Sequence, residues 1–264
     1  MRPQVVAHRG ASYDNAEHTL GAYVAALDAG AEALECDVRL TADGHLVCVH
    51  DRDLRRIGAK GLISAMELAD LAELDFASWK TGWWDGEEAP DKDDRDPRMD
   101  RVLTLQTLLE TARDYDRRVE LAIETKHPTR YGALVEKRLV EMLHRFGWER
   151  AGAPVRVMSF SFTAIQRLER LAPEVQQVQI FDKAMNWPII RRAIGPDWIV
   201  AAGIEMLREH PRLGPRIRKA GHELHVWTIN EADDLDLCLS LGVAAVITDR
   251  PGYIKGLLDD RTAG

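Results

Sequence analysis

The sequence predicts an eight-stranded β/α barrel. Short runs rich in β-branched residues alternate with amphipathic helical patterns almost from end to end of the 264-residue chain. The predicted strands cover residues 4–8, 33–37, 119–124, 155–159, 176–181, 198–202, 223–227 and 243–247, and a helical pattern follows each. This alternation is typical of a closed parallel barrel. With 45% hydrophobic content, residues 1–264 are expected to form a single domain around one large core.

Apolar faces and capping residues mark the helices between these strands. Leu20, Tyr23 and Leu27 share one face of the first predicted helix, and Gly30 follows its end. Thr104 is a residue type that caps helix N-termini, and it precedes a second apolar face. Residues 135–146 repeat the helical spacing. Each pattern predicts a helix with one side packed on the sheet.

One apolar run, residues 46–50, does not fit the barrel count. It follows the second strand too closely for a parallel crossover, which needs a dozen or more residues. We therefore expect it to return antiparallel, as a hairpin arm. A turn centred on Asp43 and Gly44 would place Asp37 opposite His50.

Residues 52–103 are expected to form a small insertion after this hairpin. A short helix is predicted near residues 66–74, and the acid-rich stretch 85–101 is expected to be a solvated loop. The insertion also carries Trp79, Trp83 and Trp84. These tryptophans either form the core of the insertion or provide an apolar wall for an acyl chain.

Charge and cysteine content narrow the choice of partners. The net charge is −8 and no dense run of Lys and Arg occurs, which argues against binding nucleic acid. Cys36, Cys48 and Cys238 lack metal-ligand spacing and are expected to be core residues in a reducing compartment. The first residues contain no apolar signal core, and no apolar stretch of about 18 residues follows. We expect a cytoplasmic protein without stable membrane insertion; its oligomeric state stays open.

Acidic residues fall where barrel enzymes build their sites, at the carboxyl ends of strands. Glu35 and Asp37 are two positions apart and therefore share one face, as do Glu124 and Lys126. Three carboxylates in one pocket repel one another unless a cation is bound. Their oxygen ligands favour Mg²⁺, Ca²⁺ or Mn²⁺. The alternative is that these acids only form ion pairs with arginine and lysine side chains.

Two histidines and two cations complete the predicted site. His8 and His50 on strands could each be ordinary core residues, but beside a metal they suit acid/base cleavage of a phosphate ester. Arg9 and Lys126 would hold the phosphate oxygens. Trp227 ends another strand, where it either stacks on a glycerol or head group or closes the barrel rim.

Short motifs occur in order over nearly the whole chain. They are His8-Arg9-Gly10, Ala16-Glu17-His18-Thr19, Glu35-Cys36-Asp37-Val38, Thr41-Ala42-Asp43-Gly44, His50-Asp51, Thr104-Leu105, Glu124-Thr125-Lys126, Ser159-Phe160, Trp227-Thr228-Ile229-Asn230 and Thr248-Asp249-Arg250-Pro251. They resemble the motifs of the glycerophosphodiester phosphodiesterase family, which opens with His-Arg-Gly, Pro-Glu-Asn-Thr, Glu-x-Asp-Val, a Thr-x-Asp-Gly turn and His-Asp.

The resemblance implies a barrel with a small insertion and one divalent metal on Glu35, Asp37 and Glu124. It also implies acid/base roles for the two histidines and phosphate binding by Arg9 and Lys126. Ala16 and His18 depart from the usual Pro and Asn, so the loop that carries Arg9 is expected to be held differently.

The expected reaction is hydrolysis of glycerophosphodiesters to glycerol 3-phosphate and an alcohol. The substrate is a small molecule, and either the neighbouring glycerol hydroxyl or water attacks the phosphorus. One rival is phospholipase D-type hydrolysis of lysophospholipids. Another is a catalytically silent barrel that binds a phosphorylated metabolite.

Overall fold

Eight parallel strands close into a barrel in the computed structural model, which describes residues 2–80 and 97–263. The barrel strands are β1 (Gln4–His8), β2 (Ala33–Leu40), β4 (Glu120–Thr125), β5 (Val155–Ser159), β6 (Gln176–Phe181), β7 (Ile199–Gly203), β8 (Leu224–Trp227) and β9 (Ala245–Thr248). A further strand, β3 (Leu46–Cys48), lies beside β2 outside the barrel. Around the barrel the order is β1, β9, β8, β7, β6, β5, β4, β2, and β2 pairs with β1 to close it. The predicted fold class is confirmed.

Helices pack outside the strands. In the described part of the chain they are α1 (Leu20–Asp28), α2 (Leu68–Ala72), α3 (Leu105–Asp114), α4 (Leu134–Phe146), α5 (Phe162–Leu171), α6 (Trp187–Ala193), α7 (Ile204–Glu209), α8 (Leu213–Lys219), α9 (Ala232–Leu241) and α10 (Pro251–Ala263). Thr104 caps α3 as predicted, since its hydroxyl accepts a hydrogen bond from the Thr107 amide at 3.1 Å. None of the helices within the described ranges is both long and apolar enough to cross a membrane.

Apolar side chains fill the lower part of the barrel. Alternate residues of each strand point inward and form one buried cluster, which includes Val6, Ala122, Val178, Ile199 and Ala245. Because this layer is packed, space for a ligand is left at the carboxyl ends of the strands. The three cysteines are buried with free thiols, so their prediction as core residues is confirmed.

The hairpin arm β3 pairs antiparallel with β2, but one residue out of the predicted register. Leu40 lies opposite Leu46. Further along, the Val49 amide donates to the Asp37 carbonyl at 3.0 Å. Asp37 therefore lies opposite Val49, and the prediction that it lies opposite His50 was wrong.

The turn explains the error. The prediction assumed a two-residue turn, whereas Thr41 and His45 pair across a three-residue loop whose last residue, Gly44, has the left-handed φ of +86°. His50 lies beyond the end of β3, so the ladder does not position it. Instead, the Arg39 guanidinium donates two hydrogen bonds to the His50 carbonyl, at 2.7 and 2.9 Å.

The insertion has a small core of its own beneath the hairpin. It buries side chains from the arm and from the following segment, namely Val47, Leu54, Ile63, Leu71 and Phe76. The predicted short helix is present as α2. Trp79 donates its indole N–H to the Phe76 carbonyl at 2.9 Å, and so it packs on the insertion itself. Trp83, Trp84 and most of the predicted acidic loop lie outside the described residues.

Candidate active site

Adjacent strands bring the predicted acids and one histidine to the same end of the barrel. β2 lies between β1 and β4; His8 is in register with Glu35, and Asp37 is in register with Glu124. The three carboxylates are buried, with exposures of 3%, 1% and 6% for Glu35, Asp37 and Glu124. Each offers an oxygen atom within 4.8 Å of the others. The expected common centre therefore exists in the fold.

This crowding has a clear electrostatic signature. Burial and the negative charge of Asp37 raise the pKa of Glu35 well above its ordinary value and the pKa of Glu124 to about 8. Burial would also raise the pKa of Asp37, but a hydrogen bond with His18 and the nearby cations hold it well below its usual range. Lys126 Nζ lies 3.2 Å from Asp37 Oδ1 and 2.9 Å from Glu124 Oε1. Lys126 therefore bridges two of the three acids.

Arg9 lies on the other side of the cluster, in a strained loop. Its φ of +58° is in the left-handed region, and its amide donates to Glu35 Oε2 at 3.1 Å. The guanidinium donates to both oxygens of Glu17, at 3.1 and 3.2 Å, and its Nε lies 3.0 Å from Asp37 Oδ2. These contacts connect Arg9 to Glu17 and Asp37.

His8 is anchored by a carboxylate that sequence reasoning left without a role. Asp249 Oδ1 lies 2.7 Å from His8 Nδ1. Asp249 also accepts hydrogen bonds from the Ser12 hydroxyl at 2.9 Å and from the Asn230 amide at 2.7 Å. Burial opposes ionisation, yet these donors lower the pKa of Asp249 to about 2. A carboxylate can only accept, so Nδ1 carries the hydrogen and Nε2 is the nitrogen that can exchange a proton with a substrate.

His50 has a similar partner. Its Nδ1 lies 2.8 Å from Oδ1 of the next residue, Asp51, and Arg56 Nε donates to Asp51 Oδ2 at 2.9 Å. Burial lowers the pKa of His50, and the positive charges of Arg9 and Lys126 lower it further. The two predicted histidines therefore share one arrangement, in which Nδ1 is held by a carboxylate.

A cavity of about 270 Å³ joins these groups. It is lined by His8, Arg9, Glu35, His50, Glu124, Lys126, Met158, Phe160, Ile180, Trp227, Thr228 and Ile247. Both histidines thus reach one cavity although the hairpin register differs from the prediction. Asp37 is the predicted site residue that does not line it, because it is buried behind the others.

One wall of the cavity is aromatic. The Trp227 and Phe160 rings meet edge to face, with centroids 5.8 Å apart and planes at 80°. Lys126 Nζ lies 5.7 Å from the centroid of the Phe160 ring, within cation–π range. Trp227 was predicted at this position. Phe160 belongs to a family motif but was not predicted as a site residue, and its ring contacts Trp227 and Lys126.

The sequence matches a known protein family. The sequence model of the glycerophosphoryl diester phosphodiesterase family matches residues 8–253. A protein of Mycobacterium tuberculosis, named probable glycerophosphodiester phosphodiesterase 1, is 41% identical, over 99% of this chain and 94% of its own length.

Solved structures share the fold. A putative glycerophosphoryl diester phosphodiesterase from Silicibacter pomeroyi superposes with a TM-score of 0.81 at 23% identity, covering 98% of this chain and 94% of its own. A phosphodiesterase from Oleispira antarctica, solved in complex with the product sn-glycerol-3-phosphate, has a TM-score of 0.77 at 25% identity and covers 97% of each chain.

The fold is a β/α barrel with an acidic, histidine-flanked mouth, and the family match identifies its class as that of phosphodiesterases. The family match over nearly the whole chain makes the class specific: this protein belongs to the glycerophosphoryl diester phosphodiesterase family.

Proposed function

We propose that the protein hydrolyses glycerophosphodiesters to glycerol 3-phosphate and an alcohol, with a divalent cation on Glu35, Asp37 and Glu124 and with His8 and His50 as acid/base groups. One observation carries this proposal. Three buried carboxylates offer oxygens within 4.8 Å of one another. Two of them, Glu35 and Glu124, line a cavity that is also lined by two imidazoles anchored through Nδ1. The product held by the Oleispira relative supports the choice of substrate.

The residues present fit a divalent cation. The donors are all carboxylate oxygens, which favours Mg²⁺, Ca²⁺ or Mn²⁺ over zinc or copper. The raised pKa values of Glu35 and Glu124 indicate that the cluster would gain by binding positive charge. When bound, such a cation polarises phosphoryl oxygens and offsets negative charge that develops during the reaction.

Arg9 and Lys126 supply fixed positive charge for the phosphate. Both line the cavity, and both are held by acids of the site: Arg9 by Glu17, and Lys126 by Glu124. Charge-assisted hydrogen bonds from such pre-positioned donors stabilise phosphate oxygens without reorganisation during the reaction. Trp227 and the adjacent aromatic ring offer a flat apolar surface for the glycerol or the head group.

The two histidines would handle the protons. One imidazole accepts the proton of the attacking oxygen through Nε2 as the new P–O bond forms. The other donates a proton to the alcohol oxygen as the old P–O bond breaks. In each imidazole the carboxylate on Nδ1 fixes the tautomer and stabilises the protonated form.

Turnover of defined substrates tests the function. Purified protein freed of metal would be assayed with glycerophosphocholine, glycerophosphoethanolamine and lysophosphatidylcholine, each with Mg²⁺, Ca²⁺ or Mn²⁺. We expect metal-dependent release of glycerol 3-phosphate from the glycerophosphodiesters. Preferred cleavage of lysophosphatidylcholine would instead assign the activity to lysolipids, and no turnover of any substrate would contradict the proposal.

A separate experiment identifies which oxygen attacks the phosphorus. If the neighbouring glycerol hydroxyl attacks first, a cyclic phosphate forms and can be trapped. If water attacks directly, no cyclic phosphate forms and none can be trapped.

A further inference from the structure

His18 is a buried histidine in contact with the proposed metal site. It is 5% exposed and belongs to the loop that follows β1. Its Nε2 lies 3.0 Å from Asp37 Oδ2, and its Nδ1 lies 2.9 Å from the Tyr23 hydroxyl. This is the position at which the chain departs from the asparagine of the family motif. In this chain the His18 imidazole occupies that position, and each of its ring nitrogens lies within hydrogen-bond distance of a partner.

The two carboxylate oxygens of Asp37 have different neighbours. Oδ2 faces both His18 Nε2 and Arg9 Nε, each at 3.0 Å. Oδ1 faces Lys126 Nζ at 3.2 Å, on the side of Glu124. Oδ2 is hydrogen-bonded to His18, whereas Arg9 Nε lies near it without a hydrogen bond. Oδ1, on the side of Glu124, is therefore the oxygen that we assign to a cation shared with the other acids.

Tyr23 connects His18 to Glu35, the second acid of β2. Its side chain is fully buried in α1, and its hydroxyl donates to the Glu35 carbonyl at 3.0 Å. The same hydroxyl contacts His18. One imidazole and one phenol therefore connect the side chain of Asp37 to the backbone of Glu35, the other proposed ligand on the strand.

We propose that His18, supported by Tyr23, is a positioning residue that holds Asp37 so that it ligates the cation through Oδ1 alone. The inference rests on the metal site under Proposed function. Groups that hydrogen-bond to metal ligands orient them, and their loss typically costs 10- to 100-fold in metal affinity.

The backbone at this position guides the choice of variants. His18 has a φ of +63°, in the left-handed region that glycine and asparagine adopt readily. His18→Gly removes the side chain without backbone strain. His18→Asn keeps an N–H donor and a compatible backbone, and it restores the family residue. Tyr23→Phe removes only the hydroxyl.

The test measures binding of Mn²⁺ alone, without substrate, by electron paramagnetic resonance. His18→Gly is expected to raise the Kd for Mn²⁺ at least about tenfold, while His18→Asn stays within about threefold of wild type. Tyr23→Phe is expected to raise the Kd by a smaller factor. The spectrum of bound Mn²⁺ should also change in His18→Gly, because Asp37 becomes free to use both oxygens. His144→Asn, on the exposed side of α4, serves as the matched control and should match wild type.

The outcomes separate the two proposals. If wild-type protein does not bind Mn²⁺, the metal site itself is refuted. If wild-type protein binds it and His18→Gly binds it equally well with the same spectrum, only the role of His18 is refuted. Thermal melting in chelator checks the fold of each variant. If His18→Gly is unfolded, Tyr23→Phe decides: a raised Kd supports the inference, and a wild-type Kd overturns it.

Discussion

Replacing Asp249 with asparagine tests how the site controls its first histidine. The change keeps the size of the side chain and removes its charge. Asp249 accepts from His8 Nδ1 at 2.7 Å, and Ser12 and Asn230 hold the carboxylate in place. An asparagine can turn its NH₂ toward Nδ1, which selects the imidazole tautomer with the hydrogen on Nε2. That tautomer cannot accept a proton through Nε2, so His8 could not act as the general base. As the general acid, its imidazolium would lose the carboxylate that stabilises it.

The expected decrease in kcat for Asp249→Asn can be estimated from the pKa of the Asp249 carboxyl. The pKa of Asp249 falls from 3.8 to about 2 although burial opposes this. The net depression corresponds to about 2 kcal/mol at about 1.36 kcal/mol per pKa unit, and it remains after the opposing cost of burial. Losing an interaction of that size would slow turnover about 30-fold, and loss of a general acid or base costs about 100-fold or more. We expect kcat to fall by between about 30-fold and 1,000-fold.

Steady-state kinetics on glycerophosphocholine measure this directly. Asp260→Asn, an exposed acid on α10, is the matched control and should keep wild-type kcat. Mn²⁺ affinity should be unchanged in Asp249→Asn, since Asp249 is not part of the acid cluster. A folded Asp249→Asn protein with kcat within about threefold of wild type would refute the reasoning, because general acid/base contributions are far larger.

Three further outcomes are expected. His8→Ala and His50→Ala should each lower kcat about a hundredfold or more in the same assay, and near wild-type rates in either would break the assignment. Glu124→Ala should raise the Kd for Mn²⁺ and lower kcat, and wild-type activity should vanish in excess chelator; activity that survives chelation would remove the cation from the mechanism. The folded pKa of Asp249 lies below 3.8, so its contribution to stability is complete above about pH 4 and is lost as pH falls through about 2. The Tm difference between wild type and Asp249→Asn, measured by calorimetry, should therefore shrink over that window, and a constant difference would contradict the pKa.

The acid cluster could be predicted because it depends on two simple rules. Residues two apart share a strand face, and parallel strands end at one rim of a barrel. Glu35, Asp37 and Glu124 obey both rules, and the structure brings their oxygens together. His8 falls at the same rim by the same argument.

The partners of the histidines could not be predicted in this way. Asp249 follows the last strand and is 241 residues from His8 along the chain. Barrel closure between β1 and β9 makes them neighbours, but strand patterns do not indicate which polar side chains then meet. The family motif at residues 248–251 was the available signal for Asp249, but the motif alone did not indicate what Asp249 does.

Loop geometry limited how well the hairpin register could be predicted from the sequence. The hairpin register depends on whether the turn contains two residues or three, and a shift of one residue moves every side chain to the other face. The sequence of the turn, with Asp43 and Gly44, is compatible with both. His50 reaches the cavity despite this shift, because Arg39 rather than the ladder holds its backbone.

Anomalous diffraction from a crystal soaked in Mn²⁺ tests the central claim most directly. One strong peak is expected at about 2.0–2.4 Å from oxygens of Glu35, Asp37 and Glu124, with His8 and His50 on the cavity around it. A protein that binds Mn²⁺ only elsewhere, or a peak that contacts none of these carboxylates, would contradict it.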